Sequence, residues 1–307
     1  MPYCPRISLD RRCETALDHG MSELTDQVLV VDKGDIGFAE FGDPMGDAVI
    51  WCHGGPGSRL EPGLIGDEAR RAGIRLIGID RPGYGRSAPQ PGRTIAGFVP
   101  DAVAVADHLG IERFVTVGVS TGGAFALAIA ALASDRTAGA VACCAVTDMR
   151  NAACRATMSK PHTLDVWDAP DRQHALAAAI AAHGQNGEKI GSDLRDALPP
   201  SDLAKFRDPE WFERFMAQGP VMFAFGLEGY TDDRIADRDG WVDFDAASIR
   251  CPVIVLQGGR DIMITVDSAR HTASLIPGAE LRLFEEMGHF SIMDMIPQAV
   301  RDLLQRT

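Results

Sequence analysis

Gly118-Val119-Ser120-Thr121-Gly122, followed directly by Gly123, stands where the apolar β-branched run Phe114 to Val117 gives way to the alanine-rich run Ala124 to Ala133. A strand that hands over to a helix in so few residues must bend sharply, and glycines flanking Ser120 permit the close chain approach that a Cβ would block. Such a turn lifts the serine hydroxyl clear of both elements. It also aims the first amides of the helix, with their partial positive charge, at whatever the serine binds. The same pattern fits an ordinary glycine-rich βα loop whose serine caps the helix. The distinction rests on whether the chain supplies a base, an orienting acid and a pair of amide donors.

Working outward, Ala48 to Cys52, Ile74 to Ile79, Phe114 to Val117 and Ala138 to Val146 read as short buried strands. Helix-like stretches Asp67 to Ala72, Thr94 to Leu109 and Thr121 to Ala133 separate them. This alternation predicts a parallel sheet covered on both faces. Upstream, Gln27 to Val31 and Ile36 to Phe41 flank Lys33-Gly34 as an antiparallel hairpin. Downstream, strand Val253 to Leu256, helix Val266 to Leu275, strand Glu280 to Phe284 and a helix from Pro297 complete the pattern.

Between Asp148 and Ile249 the strand rhythm stops. Ala175 to Ala182, Asp193 to Leu198, Asp208 to Ala217 and Val221 to Gly229 are helix-like, broken by prolines and by the glycines of Gly184 to Gly191. About a hundred residues is too long for a structureless loop, so the stretch reads as a helical insertion. After a strand's carboxyl end, an insertion lies over the ligand crevice of a parallel sheet. The expected organisation is a core of residues 1–147 and 250–307 with a helical cap, 148–249, inserted after the sixth strand.

The chain has 307 residues, 46% of them hydrophobic and 24% charged, within the range of an ordinary globular protein. A net charge of −13 with no basic block disfavours nucleic acid and anionic membrane surfaces as partners. A small, neutral or weakly polar substrate fits better, and assembly into a homo-oligomer is left open. No Cys-x-x-Cys spacing occurs among the seven cysteines, and Cys52, Cys143, Cys144 and Cys251 lie in or beside strand-like runs as core residues. Neither metal nor cofactor is expected. Without an apolar leader in Met1 to Gly20 or a span of about 18 apolar residues, the chain reads as soluble and cytoplasmic.

A serine hydroxyl needs a base, and His289, in the loop Glu286 to Phe290 just past the last strand, falls at the same sheet edge as Ser120. The imidazole needs an acceptor at its far nitrogen; Asp261, at the end of the preceding strand, is the first candidate, with Asp148 and then Asp267 behind it. Two amides must converge on a developing oxyanion. Thr121 N–H is one, and Gly55 N–H, in His53-Gly54-Gly55-Pro56-Gly57, is the other, with Gly54 as its alternative. His53 has no second metal ligand spaced with it, so its expected role is to hold the loop by hydrogen bonds.

The ordered set His53 to Gly57, Asp80-Arg81-Pro82-Gly83-Tyr84-Gly85-Arg86-Ser87, Gly118 to Gly123, Gly259-Arg260-Asp261 and Gly288-His289-Phe290 resembles the α/β-hydrolase fold family over nearly the whole chain. The resemblance implies a mostly parallel, eight-stranded α/β sheet with an inserted helical lid, and a serine hydrolase with catalytic Ser120, Asp261 and His289. It assigns Asp80 to Ser87 a structural turn and no catalytic role. The His-Gly-Gly-Pro-Gly loop resembles the proline iminopeptidase branch in particular. That branch usually carries tryptophan directly after the nucleophile, where this chain has Thr121, and uses acidic lid residues for the substrate's amino terminus, for which Glu188, Glu210, Glu213 and Glu228 are candidates. The expected activity is therefore hydrolysis of a small ester or lactone, ahead of proline amide cleavage or a slow ligand receptor. Trp167, Trp211, Phe212, Phe215, Met222, Phe223 and Phe225 are candidate pocket residues.

Overall fold

The computed structural model describes residues 25–158, 161–190 and 197–306, the side chains of 161 and 162 excepted. Eight strands form one sheet: β1 (Thr25–Val31), β2 (Gly34–Gly42), β3 (Asp47–Cys52), β4 (Ile74–Ile79), β5 (Phe114–Val119), β6 (Thr137–Cys143), β7 (Val253–Gly258) and β8 (Glu280–Phe284). Their spatial order is β1-β2-β4-β3-β5-β6-β7-β8. The first hairpin and the β2–β4 pair are antiparallel, and every other neighbouring pair is parallel. The mostly parallel α/β sheet with an inserted helical lid is thus the fold adopted.

Strand order reverses at β3, which pairs with β4 on one side and β5 on the other. Register sets Cys52 opposite Gly118, so the loops that leave β3 and β5 emerge side by side. That reversal is where an open parallel sheet leaves a crevice. Along β3 the side chains alternate: Val49 and Trp51 enter one apolar layer with Val117, Val141 and Leu303, while Ile50 and Cys52 enter the other with Phe38, Phe98 and Phe125. Both faces of the sheet are therefore covered, which explains why its strands read as continuous apolar runs.

Helices Ala152–Thr157, Pro161–Trp167, Arg172–His183, Pro200–Arg207, Pro209–Ala217, Gly219–Met222 and Glu228–Arg238 fill the segment between β6 and β7. Their starts follow local chemistry: Asn151 accepts from Cys154 N, Asp171 from His174 N, and Asp208 from Glu210 N and Trp211 N. The continuous helix expected from Val221 to Gly229 is not formed. The short helix Gly219–Met222 ends at Phe223, the chain turns through Gly226 at a positive φ of 62°, and a new helix starts at Glu228. The stretch expected as helix from Asp193 lies mostly outside the described residues, up to position 196. Among the described residues no helix is long and apolar enough to cross a membrane. Cys52, Cys143, Cys144 and Cys154 are free and buried, and Cys251 is free and partly buried.

Candidate active site

Ser120 is one of two non-glycine residues with a positive φ, 53°, among the described positions. Its backbone is pinned on both sides. Ser120 N–H donates to Cys143 O at 2.9 Å, and Ser120 O accepts from Gly123 N–H and Val146 N–H, each at 3.0 Å. The flanking glycines are needed for close approach: a Cβ on Gly118 would collide with Gly122 O, and one on Gly122 with Cys52 O. The helix Gly122–Leu132 starts immediately beyond. The Ser120 side chain, half-buried, faces a cavity of about 620 Å³ that His289 also lines.

Asp261 and His289 meet across the loops after β7 and β8: Nδ1 of His289 lies 2.8 Å from Asp261 Oδ2. Asp261 Oδ1 in turn accepts from Met263 N–H and Ile264 N–H, and Gln257 Nε2 donates to Oδ2, so the carboxylate has a fixed orientation. Burial alone would lower the basicity of His289; the charge of Asp261 outweighs it and holds the imidazole well above its usual range. The two other acids considered are elsewhere. Asp148 accepts from Arg150 and Trp241 N–H, and Asp267 pairs with Arg270 on an exposed helix face. Cys144, which burial keeps a neutral thiol, stands behind His289 with its Sγ 4.0 Å from Nε2. Ligand atoms of Cys144, Asp261 and His289 lie within 4.8 Å of one another, but the Asp261 oxygen nearest His289 is committed to Nδ1.

His53 is fully buried; its Nε2 accepts from Arg81 N–H at 3.1 Å, so Nδ1 carries the proton and donates to Gly54 O at 2.7 Å. Burial and the adjacent Arg81 charge keep the ring neutral. Through these bonds His53 links Gly54 to Arg81. Gly54 N–H is taken by the carboxylate of Glu61, at 3.0 and 3.1 Å, which also accepts from Trp51 Nε1 at 2.8 Å. That excludes Gly54 as a free amide donor. Gly55 N–H and Thr121 N–H, by contrast, donate to no partner among the described residues, and both residues line the cavity beside Ser120. A Cβ on Gly55 would lie 2.6 Å from Thr121 Oγ1. Burial pushes the Glu61 carboxyl up to about 7, against the lowering effect of its hydrogen bonds from Trp51 and Gly54.

The insertion supplies residues that the sequence reading did not find. Asp202, fully buried, accepts from His289 N–H at 2.9 Å, Ser291 N–H at 2.9 Å and Ser291 Oγ at 2.7 Å, fixing the loop that carries the histidine. Asp233, also fully buried, binds Arg81 Nη2 at 2.7 Å and Tyr84 Oη at 2.8 Å, and pairs with Arg93. Arg234 donates to Thr121 Oγ1 and pairs with Asp237. None of these sits in a local motif. Their partners are far away in sequence, and only the packed insertion brings them in.

Of the aromatic and methionine residues expected at the pocket, Phe212, Phe215 and Met222 line it, joined by Phe206, Met216 and Phe290. Trp167, Trp211 and Phe223 pack inside apolar clusters instead, and Phe225 is exposed. Among the described residues, the candidate amine-binding acids Glu188, Glu210, Glu213 and Glu228 are not in the cavity wall. Glu188, Glu210 and Glu213 are exposed, and Glu228 pairs with Arg172.

Comparison with known proteins gives this arrangement a family. The chain is 27% identical over 293 residues to a proline iminopeptidase of Neisseria gonorrhoeae, covering 87% of this chain and 92% of that one. It is 28% identical over 273 residues to the dihydrolipoyllysine-residue acetyltransferase component of the acetoin cleaving system of Pseudomonas putida, covering 86% of this chain but only 64% of that protein's length. An epoxide hydrolase from Vigna radiata superposes with a TM-score of 0.73 at 20% identity, over 93% of this chain and 99% of that one. These names span unrelated reactions, so what they share is the scaffold. The profile of the alpha/beta hydrolase fold matches residues 47–295, from the start of β3 to the segment after His289, and the chain belongs to that family.

Proposed function

We propose that this protein is a serine hydrolase that cleaves carboxylic esters or lactones of small, largely apolar substrates through an acyl-enzyme on Ser120. The observation that carries the reading is the convergence of Ser120, the Asp261-oriented His289 and the unengaged amides of Gly55 and Thr121 at one largely apolar cavity. Ser120 Oγ attacks the substrate carbonyl as His289 Nε2 takes its proton, and Asp261 stabilises the imidazolium. The carbonyl oxygen, now negative, is held by the Thr121 amide at the helix N-terminus and the Gly55 amide of the loop after β3. His289 then protonates the leaving alcohol and activates the water that releases the acid. Residues 148–249 act as a cap over the core of residues 1–147 and 250–307 and give the pocket its shape.

A proline iminopeptidase reading is favoured by the relative from Neisseria. Against it, the cavity wall among the described residues has one carboxyl, Glu61, and that group is bonded to Gly54 and Trp51 rather than free for an amine. Labelling with a fluorophosphonate, mapping of the labelled residue, and parallel assays with p-nitrophenyl esters, lactones and proline p-nitroanilide discriminate between the readings. Labelling at Ser120 and loss of both labelling and ester hydrolysis in Ser120→Ala is the expected result. Full hydrolysis by that variant would refute the mechanism, and faster turnover of the proline amide than of every ester would move the protein to the aminopeptidase reading.

A further inference from the structure

The candidate oxyanion site has a neighbour that no motif announces. Arg234, on the insertion helix Glu228–Arg238, is 4% exposed and reaches the cavity wall. Its Nη2 donates to the side chain of Thr121, the residue whose amide follows the nucleophile. The same nitrogen would lie 3.2 Å from a Cβ placed on Gly55, the residue that carries the other amide. One guanidinium therefore sits against both strands of the proposed amide pair.

We infer that Arg234 is a positioning residue for the oxyanion site, acting through its hydrogen bond to the Thr121 hydroxyl to fix the spacing between the Gly55 and Thr121 amides. The inference rests on the ester reading and adds to it a working part supplied by the insertion. Thr121 Oγ1 is held by the guanidinium at the point where Gly55 presses against it, so the hydroxyl wedges the two loops at a set separation. Oxyanion donors are effective only when both reach the position that the oxygen takes up in the transition state, and a shift of a fraction of an ångström lowers their effect. Asp237 pairs with Arg234, and Tyr230 lies under it at 5.6 Å from the ring centroid. Asp237 holds the same nitrogen, Nη2, that bonds Thr121 Oγ1, so the guanidinium is fixed at the atom that acts. Arg234 Nε is buried without a hydrogen-bond partner, so the side chain is retained here despite an unmet polar atom. The pairing also gives a physical reason for threonine at the position after the nucleophile: a tryptophan there would have no hydroxyl for Arg234 to hold.

The test compares wild type with Thr121→Val, Thr121→Ser, Arg234→Gln and the Thr121→Val/Arg234→Gln double variant. The readouts are kcat and KM for a p-nitrophenyl ester and the inhibition constant of an aryl trifluoromethyl ketone, whose serine adduct carries the oxyanion. Thr121→Val and Arg234→Gln are each expected to lower kcat and weaken the ketone by roughly 10- to 100-fold with KM changed less than about twofold. The double variant should be no worse than the weaker single one, and Thr121→Ser, which keeps the hydroxyl, should recover most of the loss seen in Thr121→Val. Thr121→Val leaves the Arg234–Asp237 pair in place, so it reports even where Arg234→Gln folds poorly. Losses that multiply in the double variant, a rise in KM at constant kcat, or single variants inhibited as strongly as wild type would each overturn the positioning role. A wild-type protein that the ketone does not inhibit would overturn the ester reading itself, and the inference with it.

Discussion

Asp233→Asn is expected to loosen the hold of the insertion on the core. The carboxylate has no exposure and accepts from Arg81 Nη2 at 2.7 Å, Arg81 Nε at 3.2 Å and Tyr84 Oη at 2.8 Å, with Arg93 as a second cationic partner. Asparagine keeps the shape and removes the charge, which leaves buried Arg81 without its carboxylate and Arg93 with Asp232 alone, at 3.6 Å. Breaking a buried pair from one side costs about 3–5 kcal/mol. Unfolding entropy of about 2.1 cal/mol/K per residue, over 307 residues, gives about 0.64 kcal/mol/K. The melting temperature should therefore fall by about 5–8 °C. Burial raises the Asp233 carboxyl, but Arg81 and Arg93 outweigh it and hold the group well below its ordinary value of 3.8. Its stabilisation is accordingly complete above that value and is lost only as pH falls through the lower value of the folded state. Calorimetric melts of wild type and variant at pH 8 and pH 5 should show the same gap. A variant that melts within about 1 °C of wild type, or a gap that closes between pH 8 and pH 6, would refute the reasoning.

Asp261→Asn should move the acid limb of the kcat/KM profile for an ester to lower pH, because the charge that raises the proton affinity of His289 is gone. Activity above the limb should also drop by about 10⁴-fold, and a limb that stays in place would detach Asp261 from the base. Glu61→Gln should flatten the pH dependence of stability near neutrality. The folded carboxyl titrates near 7 rather than its ordinary 4.5, so wild type loses up to about 3 kcal/mol as pH rises through that window and the variant does not. Urea unfolding at pH 5 and pH 8 measures the difference, and an unchanged pH slope would count against a buried, hydrogen-bonded Glu61.

The legibility of this protein in its sequence follows the range of the interactions. Elements whose signal is local were read closely: β5 and the helix after it are set by the run Phe114 to Val119 and the glycines of the elbow. Ser120, Asp261 and His289 stand out as candidates in the sequence because each lies in a loop directly after a strand, and parallel strands deliver such loops to one edge. Asp202, Asp233 and Arg234 were not, since each acts on a residue 87 to 152 positions away and has no distinguishing neighbour of its own. Within the insertion, helix-forming composition outweighed a single residue in the reading of Val221 to Gly229. In the folded chain the helix stops at Phe223 and the backbone turns through Gly226, at positive φ, before the next helix.

The positive φ of Ser120 limits which side chains this turn can carry. A side chain branched at Cβ is a severe outlier in the left-handed region, whereas short unbranched polar side chains enter it at modest cost. Threonine, the nearest chemical relative of serine, is thus barred on conformational grounds, while cysteine and aspartate would fit the same backbone. The hydrogen bond that Ser120 N–H donates to Cys143 O, and those that Ser120 O accepts from Gly123 and Val146, hold the turn through main-chain atoms alone and are indifferent to that exchange. The elbow is therefore a socket: its main chain constrains the shape of the side chain at position 120 and leaves its chemistry open to substitution.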